Sequence, residues 1–374
     1  MAVRAVVVVL MMTVGCRGTA PPPPAPASED ATPVATASSS PEAVVVADAA
    51  AEETPLPSRA RLLAPARGTA VRGFVAMSGG AGAHVVYAVP GPEEAAAEQP
   101  VLVASLTKMW VAVAVLRLAA RKELSLDDEV RALLPALAKK AWADSTVREL
   151  LHHVSRVPEF DDRDGFYSKS DIDFTDPAPV LAKHIGAGTE KRGVWKYRNS
   201  EFALLGAILQ ERRAKPVASV LEEEVFAPAT MRHAGVLVRG KPAGLDLGPM
   251  GRVRPHNFFT AGNGYASASD LLAFFDALDA GTLLDEPSRA LLFEADAKNN
   301  HAAAGCWAFP FAGAEAGPTL LVERPGSFGN VRLETLYFPA LHRAIVLWSQ
   351  APVDLGRPRT NGSIAAALAR AALE

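Results

Sequence analysis

Apolar residues fall into three regimes along the chain. Behind a single positive charge, Arg4, residues Ala5–Met12 form an uninterrupted apolar run. It is far shorter than the roughly 20 residues a membrane-spanning helix needs. Between 17 and 60 the pattern disappears, and Pro21–Pro24 and Ser38-Ser39-Ser40-Pro41 lie among alanine, threonine and glutamate. Proline fixes φ and donates no N–H, so such a segment stays extended and solvated. From about residue 69 the pattern is that of a packed body. Strand-like runs, Val71–Met77 and His84–Val89, flank the turn signal Ser78-Gly79-Gly80-Ala81-Gly82. Leu106–Ala120 is apolar on nearly every face, with Lys108 and Arg117 its only charges, the pattern of a helix packed on several sides.

Asp127–Leu134 reads as a short amphipathic helix stopped by Pro135. A helix through Leu151 is capped by Ser145 or by Thr146, the latter forming a capping box with Glu149. Ser267 with Asp270 forms a second box ahead of Leu271–Leu278. A helix opening at Asn199 or Ser200 puts Phe202, Leu205, Ile208 and Leu209 on its apolar side. The last third turns to strands, Thr319–Val322, Val331–Phe338 and Ala344–Trp348, and ends in a helix, Ile364–Leu373. Strands at both ends with helices between them predict an α+β fold, an antiparallel sheet flanked by helices.

A charged start, a short apolar run and small residues describe an export signal. Thr13-Val14-Gly15-Cys16 resembles the lipobox of bacterial lipoproteins, with Thr13 where that box usually has leucine. On this reading residues 1–16 are the signal peptide and Cys16 is lipidated. Residues 17–60 are then a disordered tether, and 61–374 a folded domain on the periplasmic or cell-surface side. Contact with the membrane runs through the lipid rather than a spanning helix. An ordinary cleaved signal with an incidental cysteine is the alternative.

Of the 374 residues, 49% are hydrophobic and 21% charged, which rules out whole-chain disorder. A net charge of −3, with no long basic segment, removes the electrostatic footprint of a nucleic-acid binder. Two cysteines, Cys16 and Cys306, allow one bridge at most, and Cys306 is expected to be unpaired. There is no H-E-x-x-H or His-x-His. His152 and His153 are neighbours pointing about 100° apart on a helix, which suits a helix end better than a ligand pair. The G-x-S-x-G elbow and the G-x-x-x-x-G-K-[ST] loop are absent as well.

Ser105-Leu106-Thr107-Lys108 opens the buried helix. Residues i and i+3 share a helix face, so Lys108 reaches the Ser105 hydroxyl. That hydroxyl is a poor nucleophile until a base takes its proton. Lysine can do so only when neutral, which requires its pKa to fall about three units from roughly 10.4; burial and nearby cations lower it. A helix N-terminus adds backbone N–H groups where an oxyanion can form. The spacing alone recurs by chance about once in a chain this long, and a capped helix with a snorkelling lysine would look the same. A second element, Trp195-Lys196-Tyr197-Arg198-Asn199-Ser200, ends a loop and opens a helix. In extended backbone Tyr197 and Asn199 face one side. A phenol relays protons and an amide both donates and accepts, although a core tyrosine beside a capping asparagine reads equally well.

Together these segments resemble the serine β-lactamase and penicillin-binding-protein superfamily, in particular its branch of class C β-lactamases, DD-peptidases and related esterases. The resemblance is carried by VASLTKMWVAVAVLRLAARKELSLDDEVRALLPAL, STVRELLHHVSRVPEF, GVWKYRNSEFALLGAILQ, VFAPATM and GNGYASASDLLAFFDAL, in the family's order over roughly residues 70–374. It implies a β-lactamase/transpeptidase-like fold with a helical subdomain. It also implies Ser105 as the acylated nucleophile and Lys108 as its base. Tyr197 would shuttle protons to the leaving group and the deacylating water, and Asn199 would orient Lys108 and the substrate amide. It implies no metal or cofactor.

Three departures stand out. His153-Val154-Ser155-Arg156 replaces the family's H-T-S-G, and Arg192-Gly193 a common Pro-Gly. The third motif, normally Lys or His, then Thr or Ser, then Gly, is here Arg324-Pro325-Gly326, followed by Ser327. Arg324 keeps the cation and Ser327 can supply the second oxyanion N–H, so Arg324, Gly326 and Ser327 are the expected substrate-binding positions. Pro325 loses a hydroxyl and an N–H. The expected function is serine hydrolysis through an acyl-enzyme on a small-molecule or peptide substrate, an amide or ester related to β-lactams or cell-wall peptides. The alternatives are an esterase for small acyl esters and a lipoprotein that uses the cleft for binding only.

Overall fold

The computed structural model describes residues 56–373, apart from 80–81, 90–92, 164, 169–170, 238–244, 246–252 and 315–316. The signal segment with Cys16 and most of the expected tether lie outside the described residues. A helical turn, Arg59–Leu63, with Leu62 fully buried, spans the boundary expected at 60.

Among the described residues ten strands build two sheets. They are β1 (Gly73–Ser78), β2 (His84–Val89), β3 (Val101–Ala104), β4 (Gly235–Val236), β5 (Gly264–Ala266), β6 (Trp307–Ala314), β7 (Gly317–Glu323), β8 (Gly326–Phe328), β9 (Val331–Phe338) and β10 (Arg343–Ser349). The large sheet is antiparallel throughout, in the order β2-β1-β10-β9-β7-β6, with the short β8 also paired to β9. The small one runs β3-β5-β4. Five helices matter for the site: α1 (Thr107–Ala120), α2 (Val147–Leu151), α3 (Asn199–Arg213), α4 (Ala268–Asp279) and α5 (Ile364–Leu373).

Side chains alternate across each strand. Val75, Met77, Leu336, Phe338, Ile345 and Leu347 therefore pack with Leu368 and Ala369 of α5 on one face. Phe74, Ala76, Leu333, Tyr337, Val346 and Trp348 join the larger core that holds α1 and α3 on the other. Both faces are covered, which is why these strands read as continuous apolar runs. Each fully buried large apolar side chain contributes roughly 1.5–3 kcal/mol. Trp348 donates from its indole to the carbonyl of Leu102 (2.9 Å), tying the large sheet to β3, the strand that delivers Ser105.

α1 begins at Thr107 and is buried over nearly its whole length, as its all-round apolar pattern requires. Both capping boxes form, Thr146 with Glu149 and Ser267 with Asp270. Gly206 marks where α3 meets the 3-10 segment Pro255–Ala261. A Cβ there would lie 2.0 Å from the Thr260 hydroxyl, which donates to the Phe202 carbonyl (2.8 Å).

Two expectations needed correction. The helix expected over Asp127–Leu134 is reduced to Val130–Leu133. Asp128 accepts instead from the Ser125 N–H, and Glu129 forms a bridge with Thr146, so side-chain and cross-chain bonds outcompete a helical start. β6 went unrecognised because Pro310 interrupts its sequence. It is an edge strand, where a missing N–H is tolerated.

Candidate active site

β3 ends at Ala104, which sits at φ +47°. Left-handed backbone at a residue with a Cβ is strained; here it turns the chain sharply from strand to helix and leaves Ser105 at the corner. Ser105 is partly exposed, whereas Lys108, one turn on, is fully buried. The Lys108 ammonium donates to Ser105 Oγ (3.3 Å), to Asn199 Oδ1 (2.9 Å) and to the carbonyl of Ala261 (2.5 Å). Burial, helped by the Arg324 cation and opposed by the Tyr197 oxygen, brings its pKa from 10.5 to about 8.

The geometry decides what a neutral Lys108 can do. An ammonium has three donors; an amine has two and a lone pair. The Ala261 carbonyl and Asn199 Oδ1 accept only, so both N–H groups of the amine stay on them. The lone pair is left for Ser105.

Tyr197 donates to Ser105 Oγ (2.8 Å) and its ring lies 4.8 Å from Lys108 Nζ. Arg324 donates from Nη2 to the phenolic oxygen (2.8 Å) and from Nε to the Ser105 carbonyl (2.8 Å). Desolvation alone would raise the phenol's pKa. The positive charges of Arg324 and Lys108 outweigh it and bring Tyr197 down to about 8. Arg324 is only 1% exposed. It lies over the rings of Tyr197 and Trp307, which stack on each other.

Gly326 has a steric reason. A Cβ at this position would lie 2.6 Å from the Val103 carbonyl and 3.2 Å from the Ser105 amide nitrogen, so only glycine lets β8 approach the Ser105 backbone this closely. Ser327, next along β8, is exposed.

Asn199 opens α3, whose preceding residue, Arg198, gives no side-chain cap. Glu159 caps the helix from another loop, accepting from the Asn199 N–H (2.7 Å) and the Ser200 N–H (3.2 Å). The Asn199 amide also donates to the Tyr167 hydroxyl (3.2 Å), which leaves its oxygen toward Lys108. The structure thus brings Ser105, Lys108, Tyr197, Asn199 and Arg324 together, with Gly326 against the Ser105 backbone. Sequence reasoning missed Glu159, Tyr167 and the Ala261 carbonyl. Glu159 stands last but one in the segment STVRELLHHVSRVPEF, where the resemblance assigns it no role, and Tyr167 lies in a loop outside the segments that carry the resemblance. Ala261 acts through its backbone, which no side-chain pattern reports, and follows a strained Phe259 (φ +47°).

The departures fall into place. Arg156 bonds Asp144 (2.9 Å), and Arg192 reaches Asp144 and Glu149, so both sit in a charged network to one side. His152 caps the end of α2. Cys306 is buried and free, with burial pushing its thiol up to about 12. It has no thiolate chemistry at neutral pH.

Known proteins resemble this chain at the level of family and fold. The Beta-lactamase family model matches residues 59–367. A protein named penicillin-binding protein PbpX from Bacillus subtilis (strain 168) is 29% identical over 203 residues, 51% of this chain and 49% of that one, so the match spans about half the relative's length. A penicillin-binding protein from Bacillus halodurans superposes with a TM-score of 0.63 at 19% identity, covering 77% of this chain and 95% of that one. A D-stereospecific amidohydrolase from a Streptomyces species gives 0.64 at 19% identity, over 79% and 96%. At such identities the likeness is one of fold. The chain belongs to the Beta-lactamase family, the superfamily of β-lactamase-like and penicillin-binding-protein-like serine hydrolases.

Proposed function

We propose that the protein is an exported serine hydrolase that cleaves amides or esters through an acyl-enzyme. The observation that carries this is the double engagement of Ser105 Oγ, by Lys108 Nζ at 3.3 Å and Tyr197 OH at 2.8 Å. Neutral Lys108 takes the Ser105 proton as Oγ bonds to the substrate carbonyl carbon. The carbonyl becomes an oxyanion, for which the backbone N–H groups of Ser105 and Ser327 are the assigned donors. The proton passes through Tyr197 to the leaving nitrogen or oxygen as its bond to carbon breaks. Water then adds to the acyl-enzyme, giving its proton back along the same route, and Ser105 is released with the acid product. Arg324 keeps the phenol acidic enough to exchange protons with Lys108.

For substrate, the names of these relatives, and of a D-amino acid amidase of the same fold, suggest β-lactams and amides of D-amino acids; the sequence resemblance adds cell-wall peptides. One observation favours substrates without a carboxylate within that range. Arg324 is buried and already bonded to Tyr197 and Ser105, and Pro325 offers no hydroxyl, so little here holds a substrate carboxylate. Small acyl esters and D-amino acid amides are therefore the preferred substrates over penicillins. We further propose a lipid anchor at Cys16 with residues 17–60 as a tether, on the strength of the short apolar run and the proline-rich segment. Intact mass after treatment with a fluorophosphonate or benzylpenicillin tests the chemistry: a covalent adduct supports an acyl-enzyme, and its absence with both leaves a binding protein.

A further inference from the structure

Behind Tyr197 lies a buried polar cluster that the acyl-transfer steps do not use. Glu201, on α3, is fully buried. It contacts His153 Nδ1 (2.5 Å) and accepts from the Ser155 hydroxyl (2.6 Å) and the Arg198 guanidinium (2.9 Å). The His153 ring packs against the ring of Tyr197, centroids 4.7 Å apart, and against Phe202. His153 stands in the left-handed region at φ +59°, and its carbonyl accepts from the Lys196 N–H (2.9 Å). The carboxyl–imidazole pair therefore ends on the catalytic ring, not on a reacting atom.

A carboxyl in the interior is costly unless its oxygens are bonded, and here two of the three partners, His153 and Arg198, adjoin Tyr197. His153 Nε2 is buried without a partner. Apart from a 3.4 Å approach of the Arg198 N–H, the Glu201 contact is the polar restraint on the ring among the described residues. A carboxyl bonded to one imidazole nitrogen fixes both tautomer and ring orientation. We propose that Glu201 is a positioning residue acting through His153: it holds the imidazole against Tyr197, and so keeps the phenolic oxygen in reach of Ser105. The proposal rests on the serine-hydrolase reading and adds to it the support of the proton shuttle.

The charged and titratable groups facing the pair are Arg198 just before α3, Lys108 from α1, Arg324 between β7 and β8, His152 after α2, and Glu159 from the loop before α3. Burial pushes Glu201 up to about 8 and His153 well below its usual value. The pair thus shares one proton around neutrality instead of forming two buried charges.

The test is Glu201→Gln in the full chain, with a p-nitrophenyl ester as substrate. Active sites are counted by fluorophosphonate adduct, and kcat per labelled site is followed from pH 5 to 10. A displacement of about 1 Å costs on the order of 100-fold, so kcat per site should fall by about 10- to 100-fold with KM unchanged. The alkaline limb should move to higher pH as the phenol drifts from Arg324. If the glutamine variant does not fold, Glu201→Asp, which keeps the carboxyl but shortens the reach, should show the same split. A purely structural Glu201 would lower the melting temperature and the number of labelled sites, leaving kcat per site and the limb in place; that result overturns the proposal alone. A wild-type protein with neither adduct nor turnover overturns the hydrolase reading and this inference together.

Discussion

The Arg324 guanidinium donates to the Tyr197 hydroxyl at 2.8 Å, and that hydroxyl in turn lies 2.8 Å from Ser105 Oγ. One buried cation thus sets the acidity of the group that shares the nucleophile's proton. Arg324 lowers the pKa of both Tyr197 and Lys108.

Both groups titrate near 8, and a coupled pair titrates as a unit. At low pH the ammonium has no lone pair; at high pH the phenolate has no proton for the leaving group. The rate of ester hydrolysis should therefore be bell-shaped about pH 8. Removing the cation in Arg324→Gln raises both pKa values, so the whole bell should move to higher pH and its maximum should fall. A pH–rate profile checks this, and an unmoved bell would detach Arg324 from the proton path.

Lys108→Ala removes the base nearest Ser105. Loss of general-base assistance costs about 100- to 10,000-fold, seen as slower labelling of Ser105 in stopped mass measurements. The residual rate should climb with pH as hydroxide replaces the lysine. A labelling rate equal to wild type at pH 8 would reject the assignment.

Pro325 stands where the motif that Arg324-Pro325-Gly326 resembles has Thr or Ser. A hydrogen bond to a charged group is worth about 1.5–3 kcal/mol, a factor of roughly 10 to 150. Pro325→Thr should raise penicillin turnover within that range while ester turnover changes less. Equal effects on both substrates, in a variant with a normal melting curve, would show that the position does not read the carboxylate.

If the proposed anchor holds, Cys16→Ser should release the protein from the membrane fraction in the native host, because no helix among the described residues is long and apolar enough to cross a membrane in the lipid's place. Fractionation decides it. A variant that remains membrane-bound would reject the anchor.

Much of this site was legible in the sequence because it rests on local spacing. Ser105 and Lys108 are one helical turn apart, and Tyr197 and Asn199 alternate along extended backbone, so each pair carries its own geometry. The capping boxes at Thr146 and Ser267 were readable for the same reason. Glu159, Tyr167 and the Ala261 carbonyl were not, since each reaches the site through tertiary packing and, for Ala261, through a carbonyl common to every residue. Arg324 shows the middle case. Its position before a strand marked it as the third-motif cation, but only the fold shows it buried against Tyr197 and not open to solvent. The Asp127–Leu134 helix failed because turn bonds from Asp128 and the Glu129–Thr146 bridge compete with it.

The most direct measurement is intact mass followed by peptide mapping after exposure to a fluorophosphonate, on wild type and on Ser105→Ala. The account predicts one adduct per chain on Ser105 in the wild type. In the alanine variant it predicts no adduct and no ester hydrolysis, with a nearly unchanged melting temperature, since the lost hydroxyl is a nucleophile and not core packing. An adduct on another residue, or full hydrolysis by a folded Ser105→Ala protein, would contradict it.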